Sequence, residues 1–184
     1  MSFEVNRDRE KAALDRVLKN MRGYDLLQIG DPNTIRFSEN ARFMRTFFLD
    51  SHVTTQCGKS FIQANPDCLP IQSEAIDIVL LLHQFDSKQD AMDILQEAYR
   101  VLRPNGQLII VDLNRWSVWR LWYRSKKCYS PGKIKRCLRA LDFEMTQYEK
   151  VWRGIFMLVA TKNISGMTPL FIRNYGNART CEIK

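Results

Sequence analysis

The sequence predicts an α/β fold with a mainly parallel sheet, and three patterns within residues 64–114 support this prediction. Residues 76–82 form an apolar run broken only by Asp77, which is typical of a strand covered on both faces in a parallel sheet. Residues 91–102 carry apolar side chains at helical spacing, and a Pro-Asn-Gly turn then leads into a second apolar run at residues 108–111. Parallel pairing requires such a strand–helix–strand crossover, which is right-handed almost without exception. Asp77, at the head of its strand, is expected to have a structural role.

Shorter patterns predict the flanking elements. Residues 1–22 place apolar side chains at helical spacing among charges of both signs, so we expect one amphipathic helix there. Residues 24–30 are expected to form the first strand and the turn that follows it. Apolar side chains recur at helical spacing after Ser130-Pro131-Gly132, so a further helix is predicted to begin at this point.

Length and composition predict one domain with a substantial core, which we place at residues 1–162, followed by an irregular basic tail at residues 163–184. No run approaches the roughly 18–20 apolar residues that a membrane span needs. The charged N-terminus resembles neither a signal peptide nor a transit peptide. Five scattered cysteines without a C-x-x-C motif, beside only two histidines, argue against a metal site. We therefore expect a cytoplasmic protein with reduced thiols.

The net charge of +8 comes from one part of the chain. Nine lysine and arginine side chains lie within residues 115–139 with no acid among them, whereas the rest of the chain is close to neutral. Within this stretch, residues 115–128 form a basic–aromatic segment whose tryptophans recur at three-residue spacing. Three interpretations are open: a helix that covers a cleft, contact of Arg115–Arg139 with an anionic membrane surface, or contact with RNA through phosphates and stacking.

Several segments in order resemble class I S-adenosylmethionine-dependent methyltransferases. The stretch Cys68-Leu69-Pro70-Ile71, the strand ending in His83 and the sequence RVLRPNG at residues 100–106 are similar to D-A-x-x-LPF, F-D-x-V and E-x-x-RVLRPGG in that family. Residues 114–119 and 165–170 resemble N-P-W-S-L-W and S-G-M-T-P of a bacterial group of type-11 methyltransferase-like proteins. The resemblance covers residues 24–170 and implies a Rossmann-like fold: a central, mostly parallel sheet with helices on both faces and an antiparallel C-terminal hairpin.

The resemblance implies S-adenosylmethionine as cofactor, and it assigns six residues to its site, among them His83 at the end of the fourth strand. Gly30 and Asp31 stand in the loop after the first strand, where glycine lets the backbone approach the amino-acid part of the cofactor. Asp50, after the second strand, is placed to accept hydrogen bonds from both ribose hydroxyls. Asn65 aligns with the residue that faces the adenine amino group. Leu69 would pack on the adenine ring, with an ordinary core role as the alternative.

Three positions near the first strand depart from the family pattern. Pro32 and Thr34 stand where relatives have glycines, and Pro32 also removes a backbone donor. Gln28 stands where an acidic residue is often found. The stretch contains no dinucleotide-binding fingerprint, which argues against a nicotinamide or flavin enzyme.

Methyl transfer is an in-line displacement, so the protein mainly holds the nucleophile and the methyl group in line. His83, at the end of the fourth strand, is the candidate general base for an acceptor that arrives protonated. The alternative is a histidine that is hydrogen-bonded beneath the cofactor or at the sheet edge. Asp86, Asp112 and Asn114 are weaker candidates, with capping or turn roles as alternatives.

Two motifs that are absent from the sequence restrict the class of methyl acceptor. No D/N-P-P-Y/F motif and no Pro-Cys pair follow the fourth strand, which argues against methylation of exocyclic amines and against formation of 5-methylcytosine. The predicted function is therefore methyl transfer to a small molecule, with an apolar or membrane-proximal acceptor and a location peripheral to the membrane as options. The alternative is a methyltransferase fold that binds partners without catalysis. A third option is an RNA methyltransferase.

Overall fold

In a computed structural model, the residues described are 2–21, 23–30, 43–51, 61–85, 90–114, 129–152 and 154–163. The basic–aromatic segment and the tail after Asn163 lie outside them. The helices and strands are, in chain order, α1 (Ser2–Leu18), β1 (Asp25–Ile29), β2 (Arg45–Asp50), β3 (Phe61–Gln63), β4 (Ile76–Leu82), α2 (Ala91–Val101), β5 (Leu102–Leu113), α3 (Pro131–Ala140), β6 (Phe143–Trp152) and β7 (Ile155–Lys162).

The described strands form one sheet in the order β3-β2-β1-β4-β5-β7-β6. Strands β1 to β5 pair in parallel, whereas β7 runs antiparallel to both β5 and β6. The predicted crossover through α2 and the predicted C-terminal hairpin are both confirmed. The chain leaves β1 toward β2 on one side and returns to β4 on the other. Ligands of open α/β sheets bind outside the carboxyl ends of strands at such a switch point.

Helices cover both faces of the sheet, as predicted. Ile94 of α2 and Ile134 of α3 belong to the apolar cluster on one face, together with Leu27 of β1. Leu14 of α1 belongs to the cluster on the other face, together with Leu26 of β1. Because neighbouring residues of β1 point into opposite clusters, this strand is buried at every position rather than at every second one.

The predicted Pro-Asn-Gly turn lies inside β5 rather than before it. Ile76 pairs with Leu102 and Ile78 pairs with Gln107, so the four residues 103–106 bulge out of the ladder. Asn105 adopts a left-handed conformation with φ +61°. The turn was therefore predicted correctly. It does not precede the strand, however, because β5 pairs with β4 both before and after the turn.

A buried lysine caps the carboxyl end of α2, and the sequence patterns did not reveal it. Lys162 Nζ, on β7, donates to the carbonyl oxygens of Tyr99 at 3.0 Å and Leu102 at 2.8 Å. These carbonyls at the helix end would otherwise lack partners. Burial lowers the pKa of Lys162 below its usual value, although the carboxylate of Glu74 acts against this shift.

Charged side chains join the amino ends of four strands. Arg45 Nε donates to Asp25 Oδ1 at 2.6 Å, and Arg103 Nη1 donates to Asp77 Oδ1 at 2.7 Å. The other oxygen of Asp77 accepts from the backbone N–H groups of Tyr24 at 2.8 Å and Asp25 at 2.9 Å. Asp77 therefore ties β4 to β1 and β5, which confirms its predicted structural role.

We expect the Asp77→Asn variant to be less stable than the wild type at pH 7, by an amount that shrinks in acid. Burial alone would raise the pKa of Asp77, but hydrogen bonds from the Asp25 N–H, the Arg103 guanidinium and the Tyr24 N–H lower it below its usual 3.8. Its stabilisation is therefore present above that value and is lost as the pH falls through the lowered pKa. Urea unfolding at a series of pH values measures this, and a difference that is the same at every pH would contradict it.

Candidate functional site

The carboxyl ends of the parallel strands bring four of the predicted residues to one edge of the sheet. Gly30 directly follows β1, Asp50 ends β2, Asn65 follows β3 and His83 follows β4. The edge is closed by backbone hydrogen bonds between neighbouring strand ends, since the Gly30 N–H donates to the Leu49 carbonyl at 2.9 Å. Asp31, the other residue assigned to this site, lies outside the described residues.

Gly30 occupies a position that admits no side chain. Its φ of +121° lies in a region that L-residues rarely adopt. A β-carbon at this position would lie 2.6 Å from the carbonyl oxygen of Leu82 and 2.8 Å from Nε2 of Gln84. The Gln84 amide in turn donates to the Leu82 carbonyl at 2.8 Å. The end of β1 thus lies directly against the end of β4, and the glycine permits this approach.

Gln28 lies two residues earlier and is completely buried in β1. Within the described part of the chain, neither atom of its side-chain amide has a hydrogen-bond partner. Leaving a buried polar group unpaired costs about 1–3 kcal/mol, so such groups are few in folded proteins. The amide has one oxygen that accepts and two N–H groups that donate, and it lies two residues before the glycine turn.

Asp50 closes β2, the strand next to β1. Its side chain is half-buried; its Oδ1 accepts from the Ser51 hydroxyl at 3.3 Å, and its backbone oxygen accepts from the Ala64 N–H at 3.2 Å. The second bond links the end of β2 to the residue before Asn65. The described strand beside β1 therefore ends in an acid, as the ribose-binding prediction requires.

Asn65 begins a turn that leads into the core. Its side chain is exposed, and its backbone oxygen accepts from the Cys68 N–H at 3.0 Å. Leu69 is only 4% exposed and packs in the cluster that includes Ile29 and Phe85. This burial fits the alternative core role of Leu69, while its contact with an adenine ring stays a prediction.

The cysteine between these residues corrects one expectation. Cys68 is disulfide-bonded, so the prediction of reduced thiols is wrong for this residue. Whether two cysteines pair depends on their distance in the folded chain, which sequence spacing does not reveal. Cys137, on α3, is a free thiol whose pKa is raised by burial.

His83 lies between β4 and helix α1. Its backbone N–H donates to the Val111 carbonyl at 2.9 Å, and its φ of +51° turns the chain sharply after the strand. Its Nε2 lies 3.1 Å from Oε2 of Glu10, a carboxylate of α1 that is only 4% exposed. With the proton on Nε2, the ring donates to Glu10. Glu10 was missed because it is 73 residues away in sequence.

The weaker candidates have backbone roles. Asp112 is buried, and its carboxylate accepts from the N–H groups of Phe85 at 3.0 Å and Leu113 at 2.6 Å. It thus holds the turn after β4 against β5, as its alternative interpretation stated. The backbone N–H of Asn114 donates to the Gly154 carbonyl at 2.5 Å. Asp86 lies outside the described residues.

An ion pair on α2 was also missed, although both residues belong to the E-x-x-R pattern quoted above. Arg100 Nε donates to Glu97 Oε1 at 2.9 Å and its Nη2 donates to Glu97 Oε2 at 2.8 Å, so the pair is bidentate. Glu97 is buried, with 9% of its surface exposed. The signal that could have revealed this ion pair is a glutamate on the buried face of an amphipathic helix, because a carboxylate is rarely buried without a partner.

The described ranges contain neither a metal-binding cluster nor a membrane-spanning helix. No group of three or more histidine, cysteine, aspartate or glutamate side chains there could hold a metal ion. None of the described helices is both long enough and apolar enough to cross a membrane.

A family model and several solved structures are similar to this chain. A family model described as a methyltransferase domain matches residues 34–110. No curated protein matches the sequence. A SAM-dependent methyltransferase from Aquifex aeolicus is similar in structure, with a TM-score of 0.61, 17% identity, and coverage of 84% of this chain and 89% of that one.

Two further solved structures are similar. The PH0226 protein from Pyrococcus horikoshii has a TM-score of 0.68, 14% identity, and coverage of 86% of this chain and 91% of its own. The 4+2-cyclase SpnF has a TM-score of 0.67, 16% identity, and coverage of 85% and 80%. At these identities the likeness concerns the fold, and it confirms the predicted architecture.

Proposed function

We propose that this chain belongs to the class I S-adenosylmethionine-dependent methyltransferase superfamily, binds S-adenosylmethionine at the carboxyl edge of its sheet and methylates a small-molecule acceptor. The observation that carries this proposal is that Gly30, Asp50 and Asn65 lie at or just after the carboxyl ends of the neighbouring strands β1, β2 and β3, beside the switch point between β1 and β4. These three residue types, in this order, suit the three parts of the cofactor.

The residues at this edge fit the cofactor chemically. At Gly30 the backbone has no β-carbon to obstruct the amino-acid part, and the unpaired amide of Gln28 lies nearby in the chain. The Asp50 carboxylate has lone pairs for both ribose hydroxyls. The exposed Asn65 side chain offers an amide oxygen to the adenine amino group.

The bound cofactor would supply a methyl group on a positively charged sulfur, which is itself a good leaving group. The chain's own residues would hold the acceptor in line with that methyl group and exclude water. His83, held by Glu10, would take the proton from an acceptor that arrives protonated. Its Nδ1 is buried, so a base role requires a small movement of the ring or of α1.

Aromatic side chains after β4 support an apolar acceptor. Phe85 is 1% exposed and meets the ring of Tyr129 edge to face, with centroids 6.2 Å apart. Tyr129 is half-buried and lies just before α3. Both rings belong to the core on the α2–α3 side of the sheet, and the half-buried Tyr129 would offer an apolar acceptor its exposed surface. A cytoplasmic, membrane-peripheral location would suit an apolar acceptor and stays a prediction.

A binding protein without catalytic activity is the second candidate function. Pro32 and Thr34 replace loop glycines, and Lys133, Arg136 and Arg139 are exposed along one side of α3. The similarity to a cyclase also shows that this fold carries more than one chemistry. Such a protein, or an RNA methyltransferase, would bind an anionic partner with an affinity that falls steeply as salt is added.

The proposal predicts that S-adenosylmethionine and S-adenosylhomocysteine bind with dissociation constants in the micromolar range. Isothermal titration calorimetry measures this directly. At a free concentration about 100 times the dissociation constant, binding stabilises the folded state by about 2.7 kcal/mol. For a chain of this size that raises Tm by roughly 5–10 °C. Absence of heat and of thermal stabilisation at millimolar S-adenosylhomocysteine would contradict the proposal and favour the binding protein.

A further inference from the structure

We propose that Glu97 and Arg100 are positioning residues for purine recognition: their ion pair holds the backbone of residues 69–71 and thereby sets Asn65 against the adenine of the cofactor. This inference rests on the proposed function and assigns a role to two side chains that need not touch the cofactor themselves. It concerns the specificity of the site for its nucleoside rather than the chemistry of methyl transfer.

The ion pair grips the chain between β3 and β4 at several backbone atoms. Glu97 Oε2 accepts from the Leu69 N–H at 2.8 Å, and Arg100 Nη2 donates to the Leu69 carbonyl at 2.9 Å. Arg100 Nη1 donates to the Ile71 carbonyl at 2.8 Å. Both backbone polar groups of Leu69 are therefore satisfied by side chains of α2.

This arrangement is needed because residues 64–75 form no helix or strand. Backbone N–H and C=O groups that leave water require partners, and here no neighbouring strand supplies them. A guanidinium has five donors in a rigid planar fork, so Arg100 bonds one carboxylate and two carbonyls at once. A lysine, with a single nitrogen, cannot reproduce this set of directions.

A short chain of contacts leads from the ion pair to the predicted adenine contact. Leu69 directly follows Cys68, whose N–H donates to the Asn65 carbonyl at 3.0 Å. On the other side of Asn65, the Ala64 N–H donates to the Asp50 carbonyl at 3.2 Å. Asn65 is thus fixed between two anchors, one on the strand that carries the ribose-binding candidate and one on α2.

The test compares the binding of S-adenosylhomocysteine with that of S-inosylhomocysteine, in which oxygen replaces the adenine amino group. In the wild type, the Asn65 oxygen should favour the adenine form, because the inosine form offers no donor there. We expect Arg100→Lys and Glu97→Gln to reduce this preference about fivefold, which corresponds to the loss of one hydrogen bond of about 1 kcal/mol. Titration calorimetry of each variant with both compounds gives the ratio of the two dissociation constants.

The ratio separates positioning from a general loss of stability. A substitution that only lowers the stability of the fold weakens the binding of both compounds equally, so the ratio of the two dissociation constants stays at the wild-type value. Arg103→Lys is the control, because Arg103 also pairs with a carboxylate, that of Asp77, but at the opposite edge of the sheet. It is expected to lower the free energy of unfolding while leaving the ratio unchanged.

Each outcome has a distinct meaning. If the wild type binds neither compound, the proposed function fails, and this inference fails with it. If the wild type binds both compounds equally, or if the two variants keep the wild-type ratio, the positioning role is wrong while cofactor binding stands. If Arg100→Lys does not fold, Glu97→Gln carries the test, because glutamine retains an oxygen that can accept from the Leu69 N–H.

Discussion

Replacing Gly30 by alanine is expected to destabilise the folded state by about 1–3 kcal/mol and to abolish cofactor binding. The φ of +121° strains any residue with a β-carbon, and the new atom would lie 2.6 Å from the Leu82 carbonyl oxygen. That oxygen belongs to the backbone of β4, so relief requires the ends of β1 and β4 to separate. Those two strand ends form the floor of the proposed site, which is why stability and binding should fall together.

Urea unfolding and calorimetric titration of Gly30→Ala measure the two effects. Gly132→Ala is the matched control, because a β-carbon at Gly132 would meet nothing within 4 Å. Gly132 lies in the first turn of α3, where alanine is expected to be neutral or slightly stabilising. A Gly30→Ala variant that unfolds and binds like the wild type would show that the end of β1 is not part of the cofactor site.

Replacing Asp50 by asparagine is expected to weaken the binding of S-adenosylhomocysteine by about 10–100-fold, with little change in stability. Hydrogen bonds to a charged acceptor contribute about 1.5–3 kcal/mol, and the amide keeps the size of the carboxylate but loses its charge and one acceptor. The half-buried side chain accepts from Ser51 at 3.3 Å, a contact that an amide oxygen can retain. The loss should therefore fall on the ligand rather than on the fold.

Two comparisons make the Asp50 result specific. Glu144→Gln, an exposed site on β6 at the far end of the sheet, makes the same change in net charge and should bind like the wild type. A cofactor analogue without the 2′-hydroxyl should bind the wild type more weakly than S-adenosylhomocysteine does. The substitution Asp50→Asn should reduce the affinity for this analogue much less than the affinity for S-adenosylhomocysteine, because the two changes remove the same interaction. A less than twofold effect of Asp50→Asn would place the ribose elsewhere.

Much of the architecture could be predicted from local patterns. The apolar run of β4 and the helical spacing of α2 each report burial within one segment, and both elements were found where expected. The resemblance placed Asp50 after the second strand, and β2 ends at this residue. The turn in β5 shows the limit of such patterns: Asn105 and Gly106 indicated a turn, but only the paired strand shows that it is a bulge.

What the sequence by itself determined is the order and type of the elements, since periodicity follows from the face that each segment buries. Through the resemblance of its motifs it also identified Gly30, Asp50 and Asn65 as candidates, and the end of the fourth strand identified His83. Only the tertiary structure decided how these residues are held. Glu10 meets His83 from a helix 73 residues away, and the ion pair of α2 grips the backbone of Leu69. Such contacts depend on the path of the whole chain, because their partners share neither a segment nor a period.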